Sequence, residues 1–581
     1  MAALSLGTAG ILALTAGNAF AATTAPVGLG YNATAGVGGS AAHVGTPTQL
    51  SATGVADATG ASTAGDADET VASNGYNSSL ILTPGGAYVT GAGSKFAIIS
   101  AGTLASPQLI SGTAGTTQVA AGLGADYLLD GGSVYAFGAN TDDAAGNSGG
   151  TSDPVDYYPT PTAISFSGSN FPAGTTITQV AAGGYSGLAI DSNGNIWSWG
   201  IARTLGSSTA EAAGNTGTPQ DVSLNLPADD YVSGQPVKAV AIAAGFDDDY
   251  ALLANGNVIA WGANKNGEIG NGSQGAEDGS GAAVYDPVDV IEDATSSSQT
   301  TQTTETTGSG TVTILPYGVT VKQITAGGDP DLGDGGAYAI ALLSNGSFDS
   351  WGSNEAGELG LGTGVAPDFA TVAADDVLTP EQPNPNGLSG FPTYPQFTEI
   401  QAEESAVYGL TASGAVYGWG GDNDDELGGV DGDASTAATY PFPFAAGSGA
   451  KNQGATEIPT QIPDLSGVTW LTTGGFGDAQ IVQSVPPLTV FEGGHGADFL
   501  SVPVGTISKT QSVEFIATTG ASATITGITI GDGVNYTGSG AVGDLDDFLV
   551  VPIEDTSLLS FPITLSGDQV YGVDIRFAPS Q

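Results

Sequence analysis

Three acidic runs hold the side chains of this sequence best suited to chemistry. They are "DPDLGDGG" with Asp329, Asp331 and Asp334, "GDNDDELGG" with Asp422, Asp424 and Glu426, and "FDDDY" with Asp247, Asp248 and Asp249. Carboxylates at such close spacing are hard oxygen donors, and calcium takes six to eight of them. None of the three completes a D-x-[DN]-x-[DN]-G-x5-E loop, so acids solvated in ordinary loops are the competing reading. The two histidines, His43 and His495, sit in Gly/Ala-rich surroundings with no local ligand partner and read as incidental loop residues. No Gly-x-Ser-x-Gly elbow offers a nucleophile. Carboxylates are so numerous that no pair stands out as the acid and base of a glycosidase. With no cysteine there is neither a thiolate nor a disulfide. The reading assigns no catalytic residue, and no cofactor other than calcium is weighed.

The elements that would have to position such side chains come from an unusual composition. The 581 residues include 92 Gly and 8 Lys+Arg against 59 Asp+Glu, a formal net charge of −51. Charged residues are only 12% of the chain, where about 25% is usual. The surface is therefore mostly uncharged and polar with scattered carboxylates, which suits acidic surroundings. Nucleic acid is excluded as a partner because phosphate binding rests on Lys and Arg, and anionic membranes are disfavoured for the same reason. Residues 1–21 have an apolar core and end in Ala19-Phe20-Ala21, the small-residue pattern of a signal-peptidase site. The first basic residue is only Lys95, so the positive start usual for such a peptide is missing. Secretion to the cell surface or the medium is expected, and no second apolar run reaches the length of a transmembrane span.

A repeat organises the rest. "SLILTPGGAYVTGAG" (79–93), "DYLLDGGSVYAFGAN" (126–140), "GLAIDSNGNIWSWG" (187–200), "YALLANGNVIAWGANKNGEIGNGS" (250–273), "AIALLSNGSFDSWGSNEAGELGLGTG" (339–364) and "YGLTASGAVYGWGGDNDDELGG" (408–429) share one pattern. Each has an apolar run, a turn rich in Gly, Asn or Ser, and a second run closed by an aromatic and a glycine. The steps are Phe137-Gly138, Trp199-Gly200, Trp261-Gly262, Trp351-Gly352 and Trp419-Gly420, with Thr90-Gly91 as a degenerate first; successive glycines are 47, 62, 62, 90 and 68 residues apart. "NG" at 193–194, 255–256 and 345–346 predicts hairpins. Short runs such as "QVAAG" and "AIAAG" upstream predict a third, inner strand. Radial blades with elastic loops fit this spacing and hide sheet edges.

These motifs resemble the regulator of chromosome condensation repeat family, whose members form seven-bladed β-propellers. The resemblance covers about 26–482 and is closest at 241–272 and 324–362. It departs from the family in carrying Tyr185, Tyr250, Tyr338 and Tyr408 where a histidine is usual, and in lacking basic surfaces. That speaks against a chromatin or nucleotide-exchange role, and secreted bacterial relatives imply a protein-binding surface instead.

The expected architecture is all-β: a seven-bladed β-propeller over 22–485 followed by an immunoglobulin-like β-sandwich over 486–581. The seventh copy, begun at 468–483, lacks its last strand, and the N-terminal strand 25–32 is expected to supply it or to pair with a neighbouring molecule. The last 95 residues resemble the immunoglobulin-like domains of choice-of-anchor surface proteins. The low-complexity segment 295–311 is expected to be a mobile loop, and Asn32, Asn77, Asn271, Asn345 and Asn535 lie in glycosylation sequons. The leading function is a secreted, non-enzymatic structural or adhesive subunit that contacts itself or other surface proteins. A binding module for a soluble protein or glycan, with Tyr157, Tyr158, Tyr394 and Tyr440 stacking on sugars, is the alternative. A carboxylate glycosidase or lyase is the third reading.

Overall fold

The computed structural model describes residues 103–123, 125–146, 157–166, 171–275, 283–328, 336–354, 356–361, 376–383, 394–403, 405–421 and 456–462, with separate strands on either side. Five consecutive four-stranded antiparallel meanders form blades a to e. Blade a comprises Thr116–Ala121, Ala125–Asp130, Ser133–Ala139 and Tyr157–Ala163. Blade b comprises Ile177–Ala182, Ser186–Asp191, Ile196–Gly200 and Thr216–Asp221. Blade c comprises Ala239–Ala244, Asp248–Leu253, Val258–Gly262 and Val284–Glu292. Blades d and e repeat the order with Val321–Gly327 to Val377–Glu381 and Phe397–Ala402 to Thr456–Gln461.

Each blade is a propeller blade because its strands alternate between two buried faces rather than one. In Asp248–Leu253, Ala251 and Leu253 pack toward blade b, whereas Tyr250 and Leu252 pack toward blade d. The core is thus divided among the joints: Trp197 and Trp199 lie between a and b, Trp261 between b and c, Trp351 between c and d, and Trp419 between d and e. An all-β propeller is what these five blades build.

Two more four-stranded sheets flank the five. One runs Thr70–Asn74, Ser78–Thr83, Gly86–Ala92, Thr103–Leu109, and its Leu80, Leu82 and Val89 join Val119 and Leu128 of blade a. The other mixes strands far apart in sequence: Val468–Thr472, Ala479–Ser484, Val27–Tyr31 and His43–Gln49, all antiparallel. Val27 pairs with Val482 and Gly30 with Ala479, while Val468 and Leu471 pack on blade e. The seven blades expected from the repeat count are accordingly corrected to five fully described blades, the flanking sheets being described mainly through strand pairing.

Beyond 487 a five-stranded antiparallel sheet runs Leu488–Glu492, Gln511–Ala517, Val570–Phe577, Phe548–Pro552, Val542–Gly543, with two separate two-stranded ladders. The packing of one layer on another that defines a sandwich lies outside the described residues. No helix among the described residues is long and apolar enough to cross a membrane.

Two local expectations change. At the "NG" turns only the glycine adopts positive φ, +87° at Gly194, +96° at Gly256 and +81° at Gly346. The Gly256 amide donates to the Leu253 carbonyl and the Leu253 amide to the Asn257 carbonyl. That is the longer hairpin loop with a left-handed glycine, not a two-residue turn. The segment at 295–311 is also not a mobile loop throughout. Thr303–Thr307 and Gly310–Ile314 form a hairpin, and its second strand extends blade c in parallel to Val284–Glu292. Consecutive β-branched threonines favour strand despite low complexity.

Candidate functional site

The Trp-Gly steps are joints. The Trp199 indole donates to the Ala144 carbonyl at 3.0 Å, Trp261 to Thr204 at 2.8 Å, Trp351 to Glu268 at 2.8 Å and Trp419 to Glu358 at 3.0 Å. In every case the acceptor lies in the loop that follows the third strand of the preceding blade. The glycine after each aromatic has positive φ, from +96° at Gly138 to +123° at Gly262, with Gly200, Gly352 and Gly420 between. A Cβ at Gly262 would meet the Asp247 carbonyl oxygen at 2.5 Å, and one at Gly352 the Ala337 oxygen at 2.6 Å. The glycine is required because the turn into the second strand crosses directly against it.

The loops that receive the indoles are held by buried acids. The Glu268 carboxylate accepts the Lys265 and Asn266 amides at 2.9 and 2.6 Å. Glu358 accepts the Ala356 amide at 2.6 Å and the Ser353 hydroxyl at 3.0 Å. Asn264 and Asn354 accept the Ile269 and Leu359 amides. Both glutamates are 2% exposed, so their charge is spent on backbone donors. The inner strands carry a second set of joints. The Gln118 side-chain amide donates to the Val180 carbonyl and accepts the Val180 amide, and Gln323 does the same with Ile400. In the same register Glu399 accepts the Leu471 amide at 3.3 Å. Burial pushes Glu399 up to about 7.

Other buried carboxylates have fewer donors. Asp249 is fully buried and neither of its oxygens has a hydrogen-bond partner. Burial and then the charges of Asp248 and Asp247 drive its pKa well above the usual carboxylate range. Burial, with the Glu268 charge next, does the same to Asp248. Asp247 is raised to about 7 by burial, against the pull of Arg203, whose guanidinium lies 3.3 Å away. Asp349 is likewise raised to about 7 by burial. At the outer edge of blade c, burial and the charges of Asp230 and Asp229 lift Asp289 to about 8. A buried carboxyl without donors is cheaper to keep as the neutral acid.

A model of the regulator of chromosome condensation (RCC1) repeat matches residues 177–201, the first three strands of blade b. That segment resembles one RCC1 repeat. The chain is 26% identical over 216 residues to the Arabidopsis thaliana ultraviolet-B receptor UVR8, covering 33% of this chain and 43% of that protein. It is 25% identical over 267 residues to pim1 of Schizosaccharomyces pombe, covering 45% and 40%. The matches thus span less than half the length of these curated relatives. Among solved structures, Prp20p of Saccharomyces cerevisiae superposes with a TM-score of 0.54 at 18% identity, over 82% of this chain and 93% of that one. Human WBSCR16 gives 0.52 at 16%, over 79% and 98%. At such identities the likeness shows an RCC1-like propeller fold.

Two of the tyrosines that stand where the family has histidine tie loops as well, Tyr338 across blades and Tyr250 within its own. The Tyr338 hydroxyl bridges from blade d to the Glu403 and Ala406 carbonyls of blade e at 2.8 and 3.0 Å, and the Tyr250 hydroxyl donates to the Glu268 carbonyl. Tyr185 differs, packing edge-on against Phe246 at 5.6 Å. Two proposed sugar platforms are instead edge covers. Tyr158 packs on the a/b core, and Tyr394 donates to the Gly360 carbonyl at 2.7 Å with its ring against Phe348. The Tyr157 side chain, Tyr440, His495 and the His43 side chain lie outside the described residues.

Asp247, Asp248 and Asp249 do not converge on a cation, because Asp248 and Asp249 are successive strand residues and point to opposite faces. Asp329, Asp331, Asp334, Asp422, Asp424 and Glu426 lie outside the described residues. In sequence Glu426 stands seven residues after Trp419, as Glu268 does after Trp261 and Glu358 after Trp351. That register was the available signal for the loop-holding acids. Sequon Asn271 is 5% exposed, and its Oδ1 accepts the Ser273 amide, which is incompatible with an acceptor for glycans.

Proposed function

We propose that this chain is a secreted, non-enzymatic interaction protein in which an RCC1-like β-propeller, closed by the 27–31 strand, presents its irregular loops to a protein partner. The observation that carries this reading is the use of the repeat's own polar side chains. Trp, Tyr, Gln and Glu of successive copies are consumed by joints between blades, which leaves recognition to the insertions between copies. The solved structures with the same fold support a binding role: Prp20p is described by its binding to Gsp1p and histones, and in a second structure it is bound to Kap60. A net charge of −51 directs this chain to other partners than polyanions, since it repels them. The five-stranded sheet after 487 supports an immunoglobulin-like domain, and Ala19-Phe20-Ala21 supports export. Within this class we favour an extracellular assembly, as filament, surface layer or adhesive subunit.

Negative-stain electron microscopy and native mass spectrometry of the purified protein test the assembly. Ordered multimers are the expected result, and monomers alone at micromolar concentration would reject it. Release of reducing ends from a polysaccharide panel would overturn the non-enzymatic reading.

A further inference from the structure

Four carboxylates meet at the outer edge of blade c, from two stretches of chain that the repeat does not bring together. After Pro227 a single 3₁₀ turn, Ala228–Asp230, places Asp229 in solvent and buries Asp230 completely. The outer strand Val284–Glu292 contributes Asp289, 5% exposed, and Glu292 at the strand end. Carboxylate oxygens of Asp229, Asp289 and Glu292 all lie within 4.8 Å of one another. Asp230 enters from behind: its Oδ1 accepts the Asn255 and Asn257 side-chain amides at 2.7 and 2.9 Å, while its Oδ2 has no hydrogen-bond donor and its carboxyl group lies directly against that of Asp289. The Asp289 Oδ1 has no donor either. None of the four pairs with a lysine or arginine among the described residues.

We propose that Asp229, Asp289 and Glu292, backed by Asp230, form a calcium site that clamps the 226–237 insertion and the Asn255–Asn257 turn onto the edge of blade c. The Asp289 Oδ1, buried and without a donor in a group of three carboxylates whose Asp229 is exposed, calls for a hard cation. Calcium–oxygen bonds run about 2.3–2.6 Å, so ligands on one ion stand no more than about 5 Å apart, a limit that the carboxylate oxygens of Asp229, Asp289 and Glu292 meet. Magnesium demands a near-ideal octahedron at about 2.0–2.1 Å and gives up its water reluctantly, whereas calcium accepts an irregular carboxylate set. Water from the Asp229 side completes the coordination. The four residues belong to none of the acidic runs that the sequence offered, because Asp229 and Asp289 are separated by the whole inner part of a blade.

The test is calorimetric titration of the full-length, chelator-treated protein with calcium chloride and with magnesium chloride at pH 7.5, alongside thermal unfolding. Calcium is expected to raise the melting temperature and to bind at least tenfold more tightly than magnesium. Asp289→Asn and Glu292→Gln are each expected to remove one calcium equivalent or weaken it at least tenfold. Because Asp289→Asn alters a buried group, Asp229→Asn is the decisive variant: its side chain is exposed, so it should weaken calcium while leaving the calcium-free melting temperature unchanged. Wild-type-like calcium titration of Asp229→Asn and Glu292→Gln would overturn the proposal by placing calcium elsewhere. So would a wild-type protein indifferent to 10 mM calcium in which Asp289→Asn raises the melting temperature, since the four acids would then share protons instead of a metal.

Discussion

Glu268 and Asp249 are both sealed inside the propeller at blade c, yet they are opposite kinds of buried acid. Glu268 receives two backbone amides and anchors the loop that accepts the next blade's indole. Asp249 receives nothing. Donors favour the anion and oppose the cost of burial, whereas a carboxylate without them is tolerated only as the neutral acid. Burial raises the pKa of both, but the backbone donors to Glu268 pull against that rise and nothing does so at Asp249.

The largest expected effect sets the buried acids with raised pKa values against pH. Their folded pKa values lie above their unfolded values: about 6 for Asp221, about 7 for Asp247, Asp349 and Glu399, and about 8 for Asp289, with burial the leading cause in each. The folded state therefore holds protons that the unfolded chain has released, so stability is fully present below about pH 4 and is lost as pH rises through 6 to 8. Thermal unfolding from pH 4 to 8 should show a steady fall in melting temperature; a maximum near neutrality would mean that carboxylates held as anions dominate.

Single substitutions sharpen the contrast in smaller steps. Trp261→Ala removes a buried ring and its bond to Thr204 and should cost about 3–5 kcal/mol in chemical denaturation. Glu268→Ala strands two buried amides and should cost about 2–3 kcal/mol; a loss below 0.5 kcal/mol would show that water replaces the carboxylate. Asp249→Asn, measured at pH 8, should be neutral or stabilising by about 1 kcal/mol, and a strongly destabilised variant would reveal a donor on that side chain.

The repeat was legible because its signals are local: an Asn-Gly turn, then an aromatic and a glycine forced by a close backbone crossing. Its hydrogen-bond partners were not legible. Trp351 and its acceptor Glu268 are 83 residues apart, whereas Trp199 and Ala144 are 55 apart, because insertions of arbitrary length intervene. Acidic residues in the loops after Trp-Gly were read as potential metal ligands, since composition alone does not distinguish a carboxylate facing backbone amides from one facing a cation. The calcium candidate at 229–292 was missed for the converse reason: its four acids are ordinary one at a time and become a cluster only when the outer strand folds back beside the insertion. The threonine-rich segment was misjudged because low complexity was allowed to outweigh β-branching.

The sheet joining Val27–Tyr31 to Ala479–Ser484 has a consequence in time. A chain made and threaded from its N-terminus delivers the 27–31 strand first and its partner only after every intervening blade. That strand spends the whole interval with an open edge, and the matching edge at 479–484 is equally open when it arrives. Two molecules emerging side by side offer each other the same complementary edges. Local crowding at the point of emergence, as much as sequence, then decides whether the strand is claimed by its own chain or by a neighbour.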